Sequence, residues 1–133
     1  MKFLLDSNAV IALLRGSPAL HLRLRQIAPA DIGMSSIVAH ELYYGAFKSQ
    51  RRTDNVSRID ALQFEVIAFD KEDARRAGEV RAALAGAGQG IGPYDVLIAG
   101  QALARGLTLV THNTAEFRRV TELAGLATDD WEA

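Results

Sequence analysis

Lys2-Phe3-Leu4-Leu5-Asp6-Ser7-Asn8, residues 2–8, decides the fold. The apolar run has the length of a strand. It does not alternate with polar residues, as a half-solvated strand would, so it reads as a strand covered on both faces. Asp6 stops it, and Asn8 to Leu14 follows as a short helix. A buried strand running into a helix is the opening of a β–α unit in a parallel sheet. The same run superficially resembles a signal peptide, but Asp6 cuts the apolar stretch short and Arg15 follows soon after, so a strand is the better reading.

Outward from this stretch, the pattern repeats. Ser17-Pro18 supplies a cap and a proline at a first helical position, with Leu20, Leu24 and Ile27 at helical spacing behind it. Leu20, Leu22 and Leu24 also fit a strand. Ile32 to Met34 is a short strand, and Ser36 is expected to cap the helix that contains Glu41. Arg51-Arg52-Thr53-Asp54 opens a polar helix that should end near Phe64. Val66-Ile67-Ala68-Phe69 reads as a strand, and Asp70 as the cap of a long helix through Ala74, Ala77, Val80 and Leu84. Gly86 to Gly92 is a glycine-rich loop, Pro93 starts a helix, and Leu107 to Val110 is another buried strand. Thr111 to Thr114 is a loop and Ala115 to Leu123 the last helix. The expectation is one α/β domain over residues 1–133, with a central, mostly parallel sheet covered by helices and no internal repeat.

Bulk properties narrow the function. A chain of 133 residues hides roughly two thirds of its unfolded surface, enough for a real core. The net charge of −1 is far from the basic balance of a protein that binds nucleic acid by bulk charge, so any such binding must use a local patch. The absence of cysteine excludes disulfides and thiolate metal sites and points to the cytoplasm. No stretch approaches the roughly 20 apolar residues that span a bilayer.

Three acids stand out against this background. Asp6 ends the first strand. Glu41 interrupts an apolar stripe, and as a helical neighbour of Ile37 and Tyr44-Gly45 it is expected to face inward with them. Asp95 lies in the first turn of the Pro93 helix, where the dipole favours a negative charge. Each has a plainer role open to it: a cap, a surface glutamate, an ordinary first-turn acid. Their joint occurrence is what favours a site. In an open parallel sheet, ligands bind beyond the carboxyl ends of the strands, and Thr111-His112-Asn113 follows the last strand to the same edge. Each pair of carboxylates at ~4 Å repels by about 4 kcal/mol at an effective dielectric of 20. Such acids either take up protons or hold a divalent cation. Oxygen ligands select magnesium, with manganese able to substitute. His21, His40 and His112 show no zinc spacing. A carboxylate-held magnesium engages phosphates, and phosphodiester hydrolysis is the chemistry that fits.

With these residues in place, the chain resembles the PIN-domain family and, within it, the VapC ribonuclease toxins of bacterial toxin–antitoxin pairs. The resemblance is carried by Leu4-Leu5-Asp6-Ser7-Asn8, Glu41-Leu42-Tyr43-Tyr44-Gly45, Ile91-Gly92-Pro93-Tyr94-Asp95-Val96-Leu97-Ile98-Ala99, Leu109-Val110-Thr111-His112-Asn113-Thr114-Ala115-Glu116-Phe117 and the ending Asp129-Asp130-Trp131. It implies a three-layer α/β/α PIN domain and a magnesium-dependent endoribonuclease. Asp6 and Asp95 would be the principal metal ligands, with Glu41 completing the cluster and orienting the attacking water. Asn113 falls where many PIN domains have a fourth acid, which leaves open one metal or two. Glu116, the nearest acid after it, should lie about a helical turn away. Ser7 and Thr111 would support the acids from behind. The resemblance also implies a VapB-type antitoxin that occupies the acidic cleft, a homodimer, operator DNA bound only through the antitoxin, and transfer RNA as substrate, with the initiator anticodon loop as the target.

Tyr94 is the aromatic expected to touch substrate, and Arg51-Arg52, Arg75-Arg76 and Arg118-Arg119 are mostly solvated helix faces. The glycine-rich loop follows a helix and lacks a lysine after it, so it fits neither nucleotide fingerprint. Two other functions remain open. A receiver or aspartate-phosphatase-like phosphotransfer domain would need a lysine near the later strands, but Lys71 is the last lysine in the chain. A catalytically inactive PIN-fold interaction protein is the other, kept open by Asn113.

Overall fold

Four strands of three or four residues, a two-residue edge strand and their flanking helices account for the architecture. The computed structural model describes residues 1–132. In chain order the elements are β1 (Phe3–Leu5), α1 (Ser7–Leu14), α2 (Pro18–Arg25), β2 (Ile32–Ser35), α3 (Ser36–Lys48), α4 (Arg52–Asp60), β3 (Glu65–Ile67), α5 (Lys71–Gly86), α6 (Pro93–Arg105), β4 (Thr108–Val110), α7 (Thr114–Ala124) and β5 (Thr128–Asp129). A single 3-10 turn, Pro29–Asp31, leads into β2. The strands form one sheet in the order β3-β2-β1-β4-β5, and every pairing is parallel. Helices cover both faces, giving three α/β/α layers.

This order positions the site. β1 is central, and the chain builds β2 and β3 to one side before crossing to β4 and β5 on the other. The gap beyond the carboxyl ends of β1 and β4 is therefore the switch point where such sheets bind ligands. Leu4, Leu5, Leu109 and Val110 in these two strands are buried, as are Ile98 and Phe117 on the covering helices. Among the described residues, the buried polar side chains are Asp6, Ser35, Asp73, Gln101 and Thr111. Asp6, Ser35 and Thr111 end β1 and β2 or follow β4, so polarity enters the core at one edge of the sheet.

Most elements follow the sequence, and the departures have local causes. Ser35, not Ser36, caps α3: its Oγ accepts from the Ile37 amide at 3.0 Å. β2 runs directly into the helix, so the cap is the last strand residue, and Ser36 Oγ instead accepts from the Phe69 amide at 3.1 Å. α4 stops at Asp60 rather than near Phe64, because Leu62 and Phe64 pack on the core as the chain turns toward β3. β3 ends at Ile67. The Ala68 carbonyl beyond it is taken by Gln101 and Arg105, and the Phe69 amide by Ser36. β5 has only two residues, too few for a periodic signal, yet the Thr111 amide donates to Asp129 and the Leu109 amide to Ala127.

Candidate active site

Asp6 reaches the site because β1 delivers it there and α1 begins on it. Its amide donates to the Val110 carbonyl at 3.1 Å, tying it to β4. Its Oδ1 accepts from the Ala9 amide at 2.8 Å, so it is also the α1 cap. The side chain is 3% exposed. Burial raises its pKa. Hydrogen bonds from Thr111 and the Ala9 amide pull it back, and the charges of Glu132 and Glu41 push it up again. The buried Thr111 hydroxyl bonds Asp6 on one side and accepts from the Asn113 amide on the other at 3.0 Å.

Glu41 arrives from α3. The buried stripe of that helix is Val38, Ala39, Leu42 and Ala46, while Tyr44 and Gly45 are exposed. The expectation that Glu41 faces inward with Tyr44 and Gly45 is therefore incorrect. It stands at the margin of the stripe, half-buried, where its carboxylate still reaches the sheet edge. Ser7, the first residue of α1, fixes it there: Ser7 Oγ donates to Glu41 Oε1 at 2.7 Å.

Asp95 occupies the third position of α6. Gly92 caps that helix without a side chain, and Pro93 presets its first turn. A Cβ at Gly92 would lie 3.0 Å from Asp95 Oδ2, so glycine leaves room for the carboxylate to fold back. Burial, then Glu116, then the charges of Asp6 and Glu41 push the Asp95 carboxyl up to about 7. Its partner Glu116 moves the other way. The Gly92 amide donates to Glu116 Oε1 at 2.9 Å, and together with the bonds from Asp95 and Asn113 this holds it below the ordinary glutamate range despite burial. The two carboxyls therefore titrate as a pair, Asp95 the harder of the two to ionise.

Glu116 is the site residue that sequence reasoning passed over. Asn113 holds the cap position of α7, and Asn113 Nδ2 donates to Glu116 Oε2 at 2.5 Å. The acid one turn along thus folds back to the place where Asn113 alone was expected. The Gly92 amide, from another element, draws the carboxylate to Asp95, and no local sequence signal marks that contact. Tyr94 is 44% exposed and stacks toward His40, ring centroids 5.7 Å apart, on the outer side of Asp95.

Asp6, Glu41, Asp95 and Glu116 therefore act on one another electrostatically. Arg119 acts on Glu116 as a compensating cation. Among the described residues no three acidic or imidazole side chains are arranged, as they stand, to wrap one ion. The donor set nevertheless suits a hard divalent cation. Magnesium needs only one or two protein carboxylates and keeps water in its other positions, and an acid raised to about 7 by uncompensated neighbours is what a cation would return to the ionised state.

The sequence matches the PIN domain family model over residues 3–123. It is 39% identical over 133 residues to the tRNA(fMet)-specific endonuclease VapC of Shigella flexneri, covering 98% of both chains. It is 36% identical to Ribonuclease VapC2 of Rickettsia felis, over 92% of this chain and 95% of that protein. The crystal structure of DNA-bound VapBC from Salmonella typhimurium superposes with a TM-score of 0.92 at 36% identity, with 98% of each chain covered. Together with the edge where Asp6, Glu41 and Asp95 meet, these similarities make the chain a member of the PIN-domain family, grouping within it with the VapC ribonucleases.

Proposed function

We propose that the chain is a magnesium-dependent endoribonuclease toxin of a type II toxin–antitoxin pair, acting in the cytoplasm on transfer RNA, with the initiator species as the target, and so inhibiting translation. Kinship with proteins named as VapC ribonucleases and tRNA(fMet)-specific endonucleases supports the substrate. The observation that carries the chemistry is the meeting of Asp6, Glu41, Asp95 and Glu116 beyond β1 and β4, with Asp95 held near neutrality by the others.

Asp6 and Asp95 would hold the metal, with Glu41 nearest as the third acid. The cation, when bound, supplies charge neutralisation at the scissile phosphate and acidifies water. Glu41, fixed by Ser7, accepts a proton from the attacking water as its oxygen joins phosphorus. One ribose oxygen leaves phosphorus and takes up a proton. That proton comes from solvent water, since Asp95 holding a cation would be ionised. Thr111 keeps the Asp6 carboxylate aimed while the Ala9 amide fixes its other oxygen. Asn113 holds Glu116 in place, and Tyr94 offers an exposed ring for an unpaired base.

Kinship with chains solved as VapBC complexes supports a VapB-type antitoxin partner, which inserts a basic side chain among the acids, and operator DNA bound only through that partner. A homodimer is proposed on the family resemblance alone. The test is RNA cutting by antitoxin-free protein. Cutting should stop with EDTA, return with magnesium and be absent in Asp6→Asn. Sequencing the new RNA ends names the target. No cutting of total RNA in magnesium or manganese would refute the nuclease reading.

A further inference from the structure

Beside the acids lies a cleft of about 640 Å³ that the proposed chemistry touches only through Asn113. Asn8, Arg15 and Ser17 form one wall, from α1 and the turn after it. His112 and Asn113 form the other, and Glu132 reaches in from the chain end. The turn depends on Gly16, whose φ of +86° is open to glycine and strained for other residues. The cleft opens directly on the catalytic edge. Asn8 is two residues past Asp6, Asn113 bonds Glu116, and Glu132 acts on Asp6.

Its walls are chemically specific. Arg15 is exposed and forms no ion pair among the described residues. His112 is oriented: its Nδ1 faces Asp130 at 3.0 Å, and Asp130 is in turn fixed by the Glu132 amide at 3.0 Å. Trp131 is 4% exposed and anchors this segment edge-on against Phe3, centroids 5.2 Å apart. With Nδ1 engaged, Nε2 is the ring atom left for a ligand. Two amides, a guanidinium, a held imidazole and one carboxylate form a mixed donor and acceptor set. That set suits a nucleotide, where a bare phosphate hole would not include Glu132.

We infer that this cleft receives an unpaired ribonucleotide next to the scissile phosphate, with Arg15 on its phosphate and the Asp130-held imidazole of His112 on its base, as a specificity-determining subsite. This rests on the ribonuclease reading. Arg15 faces phosphate because an unpaired guanidinium is the strongest anion partner in the cleft. Glu132 then faces the base side, where exocyclic amino groups donate.

The test is binding of a fluorescent, short single-stranded oligoribonucleotide by the full chain in EDTA, where nothing is cut. Arg15→Ala should weaken binding about tenfold and lower the salt slope by about 0.7, the signature of one lost single-strand phosphate contact. His112→Ala should weaken binding without changing the slope. Asp130→Asn should do so partially, and exposed Lys71→Ala on α5 should match the parent. Melting curves confirm that each variant is folded; His112→Gln replaces His112→Ala if that variant is not. Unchanged affinity and slope in both Arg15→Ala and His112→Ala would overturn the subsite. A parent that binds RNA through these residues yet cuts nothing in magnesium would instead overturn the nuclease reading and leave the subsite standing.

Discussion

Asp95→Asn isolates the electrostatic tension at the site. Asparagine keeps the shape of the carboxyl and can donate to Glu116, as the protonated Asp95 does, but it cannot ionise. In the unfolded chain Asp95 titrates near 3.8, and in the folded one near 7. The folded state therefore binds the extra proton between these values, and stability falls as pH rises through that window. Below 3.8 both states are protonated and nothing is lost. Above 7 both are ionised and the full cost is present. At 1.36 kcal/mol per pH unit the full cost is at most about 4 kcal/mol. Coupling to Glu116 and partial exposure reduce it to about 2 kcal/mol.

Asp95→Asn removes that cost. Without metal it should raise the melting temperature by about 6–10 °C at pH 8 and by much less at pH 5, for a chain of this size. Thermal melts in EDTA from pH 4 to pH 9, parent against variant, measure this. Magnesium adds a second reading: it should raise the parent's melting temperature in proportion to ln[Mg2+] and leave the variant's nearly unmoved. A variant equally stabilised at pH 5 and pH 8, or destabilised at pH 8, would refute the claim that neighbouring acids strain Asp95.

Ser7→Ala frees the Glu41 carboxylate held at 2.7 Å, and should lower kcat about tenfold while KM and the melting temperature hold; an unchanged kcat would remove Ser7 from the mechanism. Gly100→Ala places a Cβ 2.4 Å from the Ala77 Cα where α5 crosses α6, and should cost about 1–3 kcal/mol in urea unfolding. Arg105→Ala strips the guanidinium from Asp73, whose side chain is 1% exposed. Burial raises the Asp73 pKa, but hydrogen bonds from Arg105, the Asp70 amide and Gln101 outweigh it and hold it low. The parent therefore carries stability from Asp73 above its ordinary pKa of 3.8 and loses it as pH falls below that value. The variant should be about 3 kcal/mol less stable at pH 7 and show a flatter acid limb.

The sheet and two of the acids were legible because their signals are local. Leu4-Leu5-Asp6 places a charge at the end of a buried strand, and Gly92-Pro93 fixes where α6 begins and hence where Asp95 stands. Glu41 was legible as an anomaly but not in direction, since helical spacing alone does not say which neighbours border solvent. Glu116 was not legible, because its position depends on the Gly92 amide reaching across from another element. Nor was β5, where two residues pair only because Trp131 and Leu126 bury around them. Local chemistry shows in one sequence; contacts between distant elements do not.

The plainer roles of the acids and the catalytic ones proposed for them rest on the same contacts. Asp6 caps α1 through the Ala9 amide, and that bond, with the one from Thr111, opposes the rise in pKa that burial causes. Asp95 is a first-turn acid of α6, and that helix end moderates a charge its neighbours oppose. Glu116 is a first-turn acid of α7, with the Gly92 amide as counterpart. Three helix N-termini therefore point their partial positive charge at one edge of a parallel sheet, each carrying its own carboxylate. The dipoles favour the acids there, but burial and the neighbouring carboxylates still push Asp95 up to about 7. A site balanced in that way has most to gain from a cation and can fold without one. The acids should therefore cluster in EDTA as well as in magnesium, with the cation tightening the pocket rather than creating it.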